Sequence, residues 1–417
     1  MYVNRTIEET IREAGNSFPC IVIYGPRQVG KSTTIDYLFG EKYTKVTLDD
    51  VDDRLLAEQS PRLFLENYGW PLVIDEIQKV PALLDEIKKV IDREKLKWLK
   101  NDEPHQLMYI LTGSNKFELQ QGISDSLAGR CGVIEMASFT NLEKNQIEER
   151  MFSPDISEWR KVEKSGVIPY RSRKEIFESI FQGGMPDIAT GIVQRDIYFK
   201  SYVNTYIEKD VKKLVNASSE LQFREFISIV ALRTAQELHY NEIAGAVGID
   251  VRTCKRWISI LETSGIIYLL QPYMANISNR IIKTPKLYFM DTGLCAYLCK
   301  WPTAEMLSNS AMNGAFFETY VVSEIVKNHF SYNLDPKDFL FYYRDTDKRE
   351  IDLLYVKERS ITPIEIKAGV SPDKPTRNFS VLSKYHMEIT PGLVICNCEK
   401  IRPINEEAFF VPAYLLP

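Results

Sequence analysis

The sequence predicts an α/β protein with a parallel sheet at its amino-terminal end, a helical middle and a second α/β domain at its carboxyl-terminal end. Three observations predict this: short apolar runs alternating with helical patterns before residue 150, helical periodicity up to residue 290, and strands that follow one long helix thereafter. The chain has 417 residues, enough for about three domains. We place a parallel-sheet domain at 1–150, a linker and helical lid at 151–220, a winged-helix domain at 221–290 and the second α/β domain at 291–417.

Composition is that of an ordinary soluble protein, with 44% hydrophobic and 26% charged residues and a formal net charge of −5. No window approaches the roughly 18 uninterrupted apolar residues of a membrane helix, and the first residues lack a secretory signal pattern. Seven cysteines are spread thinly and form no paired zinc spacing. These features predict a cytoplasmic protein with no membrane partner, and the mild acidity leaves room only for a local basic face.

Four apolar runs in the first domain read as buried strands. They are Cys20–Tyr24, Val46–Leu48, Pro71–Ile74 and Met108–Leu111. Because helical patterns separate them, the strands are expected to be parallel, with helices on both faces of the sheet.

The segment GPRQVGKS fits a phosphate-binding loop at every required position: Gly25 and Gly30 bracket four residues, and Lys31 and Ser32 follow. An apolar strand precedes it and a helix can begin at Ser32, which is the context the motif needs. Lys31 would reach the β- and γ-phosphates of a nucleotide, and the Ser32 hydroxyl would lie on Mg²⁺. The sequence therefore predicts binding of ATP or GTP by residues Gly25, Pro26, Arg27, Gln28, Val29, Gly30, Lys31, Ser32 and Thr33.

Polar residues at strand ends supply the remaining candidates in this domain. In LVIDEIQ, Asp75 is placed to hold the Mg²⁺ water shell and Glu76 to polarise the attacking water. After the next strand, Asn115 or Ser114 could touch both the γ-phosphate and that water. Arg130, in SLAGRCG, could stabilise the transferred phosphoryl group of a neighbouring subunit, or could form a surface ion pair.

At this point the sequence resembles prokaryotic AAA-type ATPases that carry an uncharacterised carboxyl-terminal domain. The motifs GPRQVGKS, LVIDEIQ, ILTGSN, SLAGR, GGMPD and PKLYFMDTGL carry the resemblance, in that order and over nearly the whole chain. It implies a nucleotide site at Lys31, Ser32, Asp75 and Glu76. Asn115 would be the sensor-like position and Arg130 the finger-like one, in a homo-oligomer with ATP at the subunit interfaces.

The middle of the chain begins with residues 151–174, which are charged and contain prolines, and so predict a loop or linker. GGMPD, at Gly183–Asp187, separates two helical stretches. The second stretch, from about Asp196 to Leu214, carries tyrosines 198, 202 and 206 at helical spacing, which favours a packing face over a base-stacking platform.

Residues 223–273 predict a helix-turn-helix within a winged-helix unit. A short helix over Asn241–Val247, a turn at Gly248 and a cap at Asp250 precede a second helix that ends near Thr263. Arg252, Lys255, Arg256 and Ser259 fall on its outward face. Such a face suits DNA, and an ATPase can equally use such a domain as a lid or a protein-docking surface.

The last domain offers a second set of candidates. A helix over Gly314–Phe330 carries Glu318, and three strand-like segments follow: FLFYYR, IDLLYV and ITPIEIK. Asp352 lies in the second, and Glu365 and Lys367 lie two apart in the third, so their side chains share one face. The set resembles the restriction-endonuclease-like fold, in which Asp352 and Glu365 would hold Mg²⁺ and Lys367 would assist the attacking water or the phosphate. Salt-bridged strand ends, or a fold that binds nucleic acid without cutting it, are the alternatives.

Together these patterns predict an Mg²⁺-dependent ATPase that acts on DNA, with possible metal-dependent cleavage by the last domain. One alternative is a nucleotide-dependent switch that regulates transcription or a partner protein without cleavage. Another is a signalling or toxin-related ATPase whose last domain docks a protein.

Overall fold

The structure is a computed structural model of the chain, and it describes residues 2–114, 126–207, 220–274 and 284–417. Among these residues, no helix combines the length and the apolar character that crossing a membrane requires.

The first domain is a five-stranded parallel sheet with helices on both faces. Its elements are α1 (Ile7–Ser17), β1 (Cys20–Tyr24), α2 (Lys31–Phe39), β2 (Thr44–Thr47), α3 (Val51–Gln59), α4 (Pro61–Tyr68), β3 (Leu72–Asp75), α5 (Ala82–Asn101), β4 (Tyr109–Gly113) and β5 (Cys131–Glu135). The strand order is β2-β3-β4-β1-β5, so the carboxyl ends of β1, β3 and β4 meet at one edge. The four predicted strands are confirmed within one or two residues at each end. Sequence reasoning missed β5 because its residues, CGVIE, alternate in burial and do not form an apolar run.

Helices connect this domain to the middle of the chain. They are α6 (Asn141–Lys144), α7 (Ile156–Ser165), α8 (Arg173–Gln182), α9 (Pro186–Ala189) and α10 (Arg195–Tyr202), the last continuing as a π-helical turn over Val203–Ile207. The predicted loop over 151–174 is wrong where α7 forms. Asp155 caps α7 by accepting a 2.8 Å hydrogen bond from Ser157 N, and the fully buried Trp159 packs against Phe152. The charged residues that suggested a loop form the outer face of this helix.

The predicted tyrosine stripe is confirmed as a packing face where it is described. Tyr198 and Tyr202 are buried, and their rings stack with centroids 5.9 Å apart. The side chain of Tyr206 and residues 208–214 of the predicted helix lie outside the described residues.

The next unit contains three helices and a small antiparallel sheet. Its elements are α11 (Glu220–Ala231), β6 (Gln236–Glu237), α12 (Tyr240–Val247), α13 (Val251–Thr263), β7 (Ile267–Leu270) and β8 (Lys286–Phe289), with strand order β6-β8-β7. Gly248 ends α12 at φ +74°, and the Asp250 carboxylate caps α13 by accepting from Thr253 N at 3.0 Å. Both predicted helices and their turn are therefore confirmed.

The last domain is a mixed sheet packed against one long helix. Its elements are α14 (Thr292–Leu298), α15 (Ala304–Ser308), α16 (Asn313–Ser331), β9 (Leu340–Arg344), β10 (Glu350–Lys357), β11 (Ser360–Lys367), β12 (Glu388–Ile389), β13 (Gly392–Cys396), β14 (Arg402–Asn405) and β15 (Ala408–Pro412). The order is β14-β15-β13-β11-β10-β9, with β12 beside β11. β9, β10 and β11 are antiparallel neighbours, and β11, β13 and β15 run parallel.

Helix α16 is buried on nearly every face, because it lies between this sheet and the first domain. Its Glu324 accepts a 2.5 Å hydrogen bond from Asn141 N, and Lys327 Nζ donates to Phe139 O at 3.2 Å. The segment that follows β5 is thus held directly by the last domain.

The middle and last domains are joined through both backbone and core. Tyr342 N donates to Gln271 O at 3.0 Å, and Tyr273 N donates to Tyr342 O at 2.7 Å, so the chain after β7 runs beside β9. One hydrophobic cluster extends from Leu142 to Leu416 across both domains. The two domains therefore share one continuous core.

Candidate functional site

The phosphate-binding loop, residues 25–32, lies at the carboxyl end of β1. A Cβ at Gly25 would lie 2.0 Å from Met136 O. Gly30 has φ +96°, a backbone conformation that residues other than glycine rarely adopt. Both glycines are therefore required by the backbone.

Lys31 opens helix α2 with its side chain folded into the loop. Its Nζ donates to Gly25 O at 2.9 Å and to Pro26 O at 2.8 Å. Burial lowers the pKa of Lys31 to about 8, and the nearby carboxylates Glu76 and Asp75 oppose that shift. The amine is charged at neutral pH and already lies inside the loop where phosphate oxygens would bind.

The two acids after β3 converge on the same edge. Asp75 accepts a hydrogen bond from Thr112 Oγ1 on β4, and its other oxygen lies 3.5 Å from Ser32 Oγ. A hydroxyl and a carboxylate side by side are hard oxygen ligands, and they fit Mg²⁺ bound with a nucleotide.

Glu76 is held by hydrogen bonds to its side chain from two residues, Ser114 and Gln78. It has φ +58°, and its Oε2 accepts from Ser114 Oγ at 3.1 Å and from the Gln78 amide. Sequence reasoning did not assign a role to Thr112 or Gln78, although both stand inside the strings used as motifs. Ser114, one of the two residues predicted to touch the γ-phosphate and the attacking water, contacts Glu76, whereas Asn115 lies outside the described residues.

Arg5 supports the phosphate-binding loop from the amino-terminal segment. Its guanidinium donates to Val29 O at 3.0 Å and to Ala137 O at 2.8 Å, and it pairs with Glu143 at 3.1 Å while almost fully buried. The local sequence could not predict this role for Arg5, because Val29 lies 24 positions away along the chain and Glu143 lies 138 positions away.

Arg130 forms a bidentate ion pair with Asp92 of α5, at 2.7 and 3.0 Å. It precedes Cys131, which pairs with Cys20 at the start of β1, so it lies at the edge of the sheet opposite the loop. The four residue steps from Cys20 to Tyr24 along β1 separate the two edges by about 13 Å. Arg130 therefore makes the surface ion pair that was predicted as its alternative role. It lies away from the nucleotide site of its own chain.

The motifs GGMPD and PKLYFMDTGL meet at Asp291. One carboxylate oxygen accepts from Gly184 N at 2.7 Å and the other caps α14 by accepting from Leu294 N at 2.8 Å. Gly184 O in turn accepts from Phe139 N at 2.9 Å. Asp291 therefore fixes the GGMPD segment, which in turn holds the residues that follow β5.

The basic face of α13 is exposed as predicted, with Arg252, Lys255 and Arg256 turned to solvent and Cys254, Trp257, Ile258 and Leu261 buried. The carboxyl end of this helix reaches the first domain. Gly265 has φ +68°, and a Cβ there would lie 2.7 Å from Cγ and 3.0 Å from Cδ of Pro26. The helix that carries the basic face thus ends directly on the phosphate-binding loop.

In the last domain, the structure brings together all four predicted residues. Lys367 Nζ lies 2.8 Å from Asp352 and 2.6 Å from Glu365. Glu318 accepts from Lys286 Nζ and from Tyr288 OH, each at 2.7 Å. Lys286 comes from β8, is nearly fully buried and also pairs with Glu350 at 2.7 Å. Sequence reasoning missed it because it belongs to a different domain.

The C-terminal cluster (Glu318, Asp352, Glu365, Lys367 and Lys286) places three carboxyl groups beside two lysines, and burial and these neighbours shift the pKa values of the acids. Burial and the neighbouring Asp352 raise the pKa of Glu365 to about 9, and burial raises that of Glu318 to about 7. Although burial opposes ionisation, Lys286 and Lys367 hold the pKa of Asp352 below its usual value.

Lys367 thus lies between Asp352 and Glu365, the two residues predicted to hold Mg²⁺. In the described ranges, no group of three or more carboxylate, imidazole or thiol side chains is arranged to hold a metal ion. As the side chains stand, Lys367 pairs with both acids, which is the salt-bridged arrangement given above as an alternative.

The parallel sheet, the glycine loop and the acids at its edge define a P-loop nucleotide-binding domain of the AAA type. Residues 17–144 match the family model described as an AAA domain. Residues 173–305 and 313–416 match two models described as domains of unknown function, DUF8612 and DUF4143. By these matches the amino-terminal part of the chain is similar to AAA domains, and the two parts that follow are similar to domains of unknown function.

Relatives extend this similarity along most of the chain. Uncharacterised proteins of Mycobacterium bovis and Mycobacterium tuberculosis are each 24% identical over 409 residues, covering 97% of this chain and 82% of theirs. Among solved structures, a Walker-type ATPase of Pyrococcus abyssi has a TM-score of 0.36 at 14% identity, covering 70% of this chain and 94% of that one. The Aeropyrum pernix ORC2 protein has a TM-score of 0.32 at 11% identity, covering 70% and 89%. Scores this low define neither a substrate nor a partner.

Proposed function

We propose that this protein is an ATP-hydrolysing switch that binds duplex DNA through α13, with the bound nucleotide setting the position of that helix. The close approach of Gly265 to Pro26 supports the proposal. Because no residue lies between them, a shift of the phosphate-binding loop would directly displace the end of the basic helix. Rigid backbone on both sides of the contact would convert a small shift into a rotation of the domain.

The ATPase role rests on the residues at the sheet edge. Mg²⁺ bound with ATP would neutralise phosphate charge, with Ser32 and Asp75 as its protein ligands and Thr112 fixing the Asp75 carboxylate. Lys31 would exchange its two carbonyl partners for phosphate oxygens. Glu76, held by Ser114 and Gln78, would orient the attacking water.

Arg130 would act on a neighbouring copy of the chain, because its own nucleotide site lies at the opposite edge of the sheet. Its ion pair with Asp92 would have to open in the assembly. Mixing Lys31→Ala and Arg130→Ala subunits tests this: recovery of ATP hydrolysis supports action between subunits, and a mixture that never recovers refutes it.

DNA binding is tested by fluorescence anisotropy with a labelled duplex and ADP or a non-hydrolysable ATP analogue. We expect the wild-type affinity to differ between the two nucleotides. The variant Arg252→Ala/Lys255→Ala/Arg256→Ala should lose binding, and the slope of log K against log salt should fall by about 2.7 if all three side chains contact phosphates. A matched control removes three other exposed lysines, Lys164, Lys174 and Lys400. Equal binding by both variants would remove the basic helix from the proposal.

Metal-dependent phosphodiester cleavage is the second candidate, favoured by the meeting of Glu318, Asp352, Glu365 and Lys367. It requires Lys367 to leave its position between the two acids. Wild type and Glu365→Ala are compared on labelled single- and double-stranded DNA and RNA with Mg²⁺ or Mn²⁺, with and without ATP. Cutting by wild type alone establishes cleavage. No cutting, with ATP hydrolysis intact, leaves the switch as the function.

A further inference from the structure

A groove on the face formed by α10, α11 and the end of α14 combines positive charge with aromatic rings. It encloses about 690 Å³ and is open to solvent. The side chains that matter here are Lys200, Arg224, Tyr297, Lys300 and Trp301, which define what we call the aromatic–cationic groove. It is separate from the basic helix α13, none of whose residues line it.

The charge of the groove is net positive. Arg195 and Asp196 pair with each other at 2.6 Å, which neutralises both. Among the other charged residues of the lining, Lys200 and Lys300 already outnumber the one acid, Glu225. Lys200 and Lys300 are exposed, and within the part of the chain that the structure describes neither ammonium group is engaged in an ion pair. Phosphate is the natural partner of such cations.

Lys300 has an unusual backbone position for its type. It follows the last turn of α14 at φ +58°, where glycine is the favoured residue. Its amide donates to Tyr297 O at 3.0 Å, and the next amide, of Trp301, donates to Ala296 O at 3.0 Å. This closed turn fixes the lysine and the tryptophan side by side at the rim of the groove.

The aromatic residues indicate which form of nucleic acid fits. Tyr297 and Trp301 are both partly exposed. Trp301 Nε1 is buried and, among the described residues, has no hydrogen-bond partner. Aromatic faces beside cations bind unpaired bases by stacking, whereas a duplex hides its base faces.

We propose that the aromatic–cationic groove binds single-stranded nucleic acid, with Lys200 and Lys300 on backbone phosphates and Trp301 against a base. This proposal adds an unpaired strand to the duplex that α13 is proposed to contact. The combined role at a junction rests on the proposed function, whereas single-strand binding by the groove does not. The protein would then hold a junction between paired and unpaired strands.

The test measures binding of labelled oligo-dT and oligo-rU, about 15 nucleotides long, by wild type, Lys200→Glu/Lys300→Glu and Trp301→Leu, with a duplex of equal length alongside. We expect single-strand affinity to fall about 5- to 100-fold in Trp301→Leu. In the lysine variant the salt slope should fall by about 1.4 for two lost phosphate contacts. Lys164→Glu/Lys174→Glu, with the same change of charge, should bind as wild type does.

Comparing the polymers and the two sets of variants shows which nucleic acid binds and at which surface. Tighter binding of dT or of rU identifies DNA or RNA as the strand. Duplex binding that is lost in Arg252→Ala/Lys255→Ala/Arg256→Ala but kept in the groove variants separates the two surfaces. Unchanged single-strand affinity in both groove variants, or equal loss in the charge-matched control, overturns the groove while leaving the proposed function standing. If wild type binds the single strands but not the duplex, the proposed function is overturned and the groove stands.

Discussion

Gly265→Ala is the most direct test of communication between the nucleotide site and the basic helix. The new Cβ would lie 2.7 Å from Pro26 Cγ, closer than a Cβ approaches another heavy atom in folded proteins, and 3.0 Å from Cδ, which is a tight contact. A proline ring cannot rotate away, so the two backbones must separate. Overpacking of this kind costs about 1–3 kcal/mol, and an alanine at φ +68° adds about 1 kcal/mol of backbone strain. We expect a loss of about 2–4 kcal/mol in the free energy of unfolding.

Gly248→Ala is the matched control. Gly248 also has a positive φ, +74°, and ends the helix just before α13, but no atom lies within 4 Å of its added Cβ. Only the strain remains, so this variant should lose about 1 kcal/mol. The comparison isolates the contact with Pro26 from the cost of the backbone conformation.

Two measurements decide the outcome: urea unfolding of both variants, and duplex affinity with ADP and with a non-hydrolysable ATP analogue. Gly265→Ala should bind the duplex equally in both nucleotide states, whereas Gly248→Ala should keep the wild-type difference. If the two variants match each other in stability and in nucleotide response, the contact transmits nothing and the reasoning is wrong.

Further predictions concern charge. Lys31→Met should abolish ATP hydrolysis yet raise the free energy of unfolding at pH 7 by about 1 kcal/mol, because a buried amine with a pKa near 8 costs about 3 kcal/mol and its two hydrogen bonds return about 1 kcal/mol each. That advantage should shrink between pH 8 and 10.5, where only the unfolded wild type stays protonated; a growing advantage would refute it. The pKa of Glu365 is raised to about 9, so wild type should lose stability as pH rises from 5 to 9. Glu365→Gln should lose less, because only Glu318, with its pKa raised to about 7, still contributes from this cluster; thermal unfolding at pH 5 and 8.5 measures the difference. Lys286→Met should destabilise by about 3–5 kcal/mol through the unpaired Glu318, and Glu318→Gln in the same chain should restore part of the loss. Arg130→Ala should change stability by less than about 1 kcal/mol and lower ATP hydrolysis by about 10³-fold, whereas a structural ion pair alone would leave hydrolysis unchanged.

The sequence by itself determined what depends on neighbours along the chain. The phosphate-binding loop, the acids after β3, the Gly248 turn and the Asp250 cap are set by residue type at fixed offsets, and all were predicted. The helix and strands of the last domain also followed from periodicity, including the shared face of Glu365 and Lys367. α7 was not predicted, since its charged residues are exposed and only the buried Trp159 reveals a helix packed on one face.

Tertiary structure alone decided which of these segments meet. The folded chain brings Arg5 beneath the loop, Lys286 beside Glu318 and Gly265 against Pro26. The separation along the chain ranges from 24 positions, between Arg5 and Val29, to 239 positions, between Pro26 and Gly265, and no local pattern encodes such pairs. The same holds for charge: whether Asp352 and Glu365 face an open site or a lysine depends on burial and on partners that only the folded chain supplies. Local spacing fixes the chemistry a residue can offer, and packing between domains fixes which of its partners is within reach.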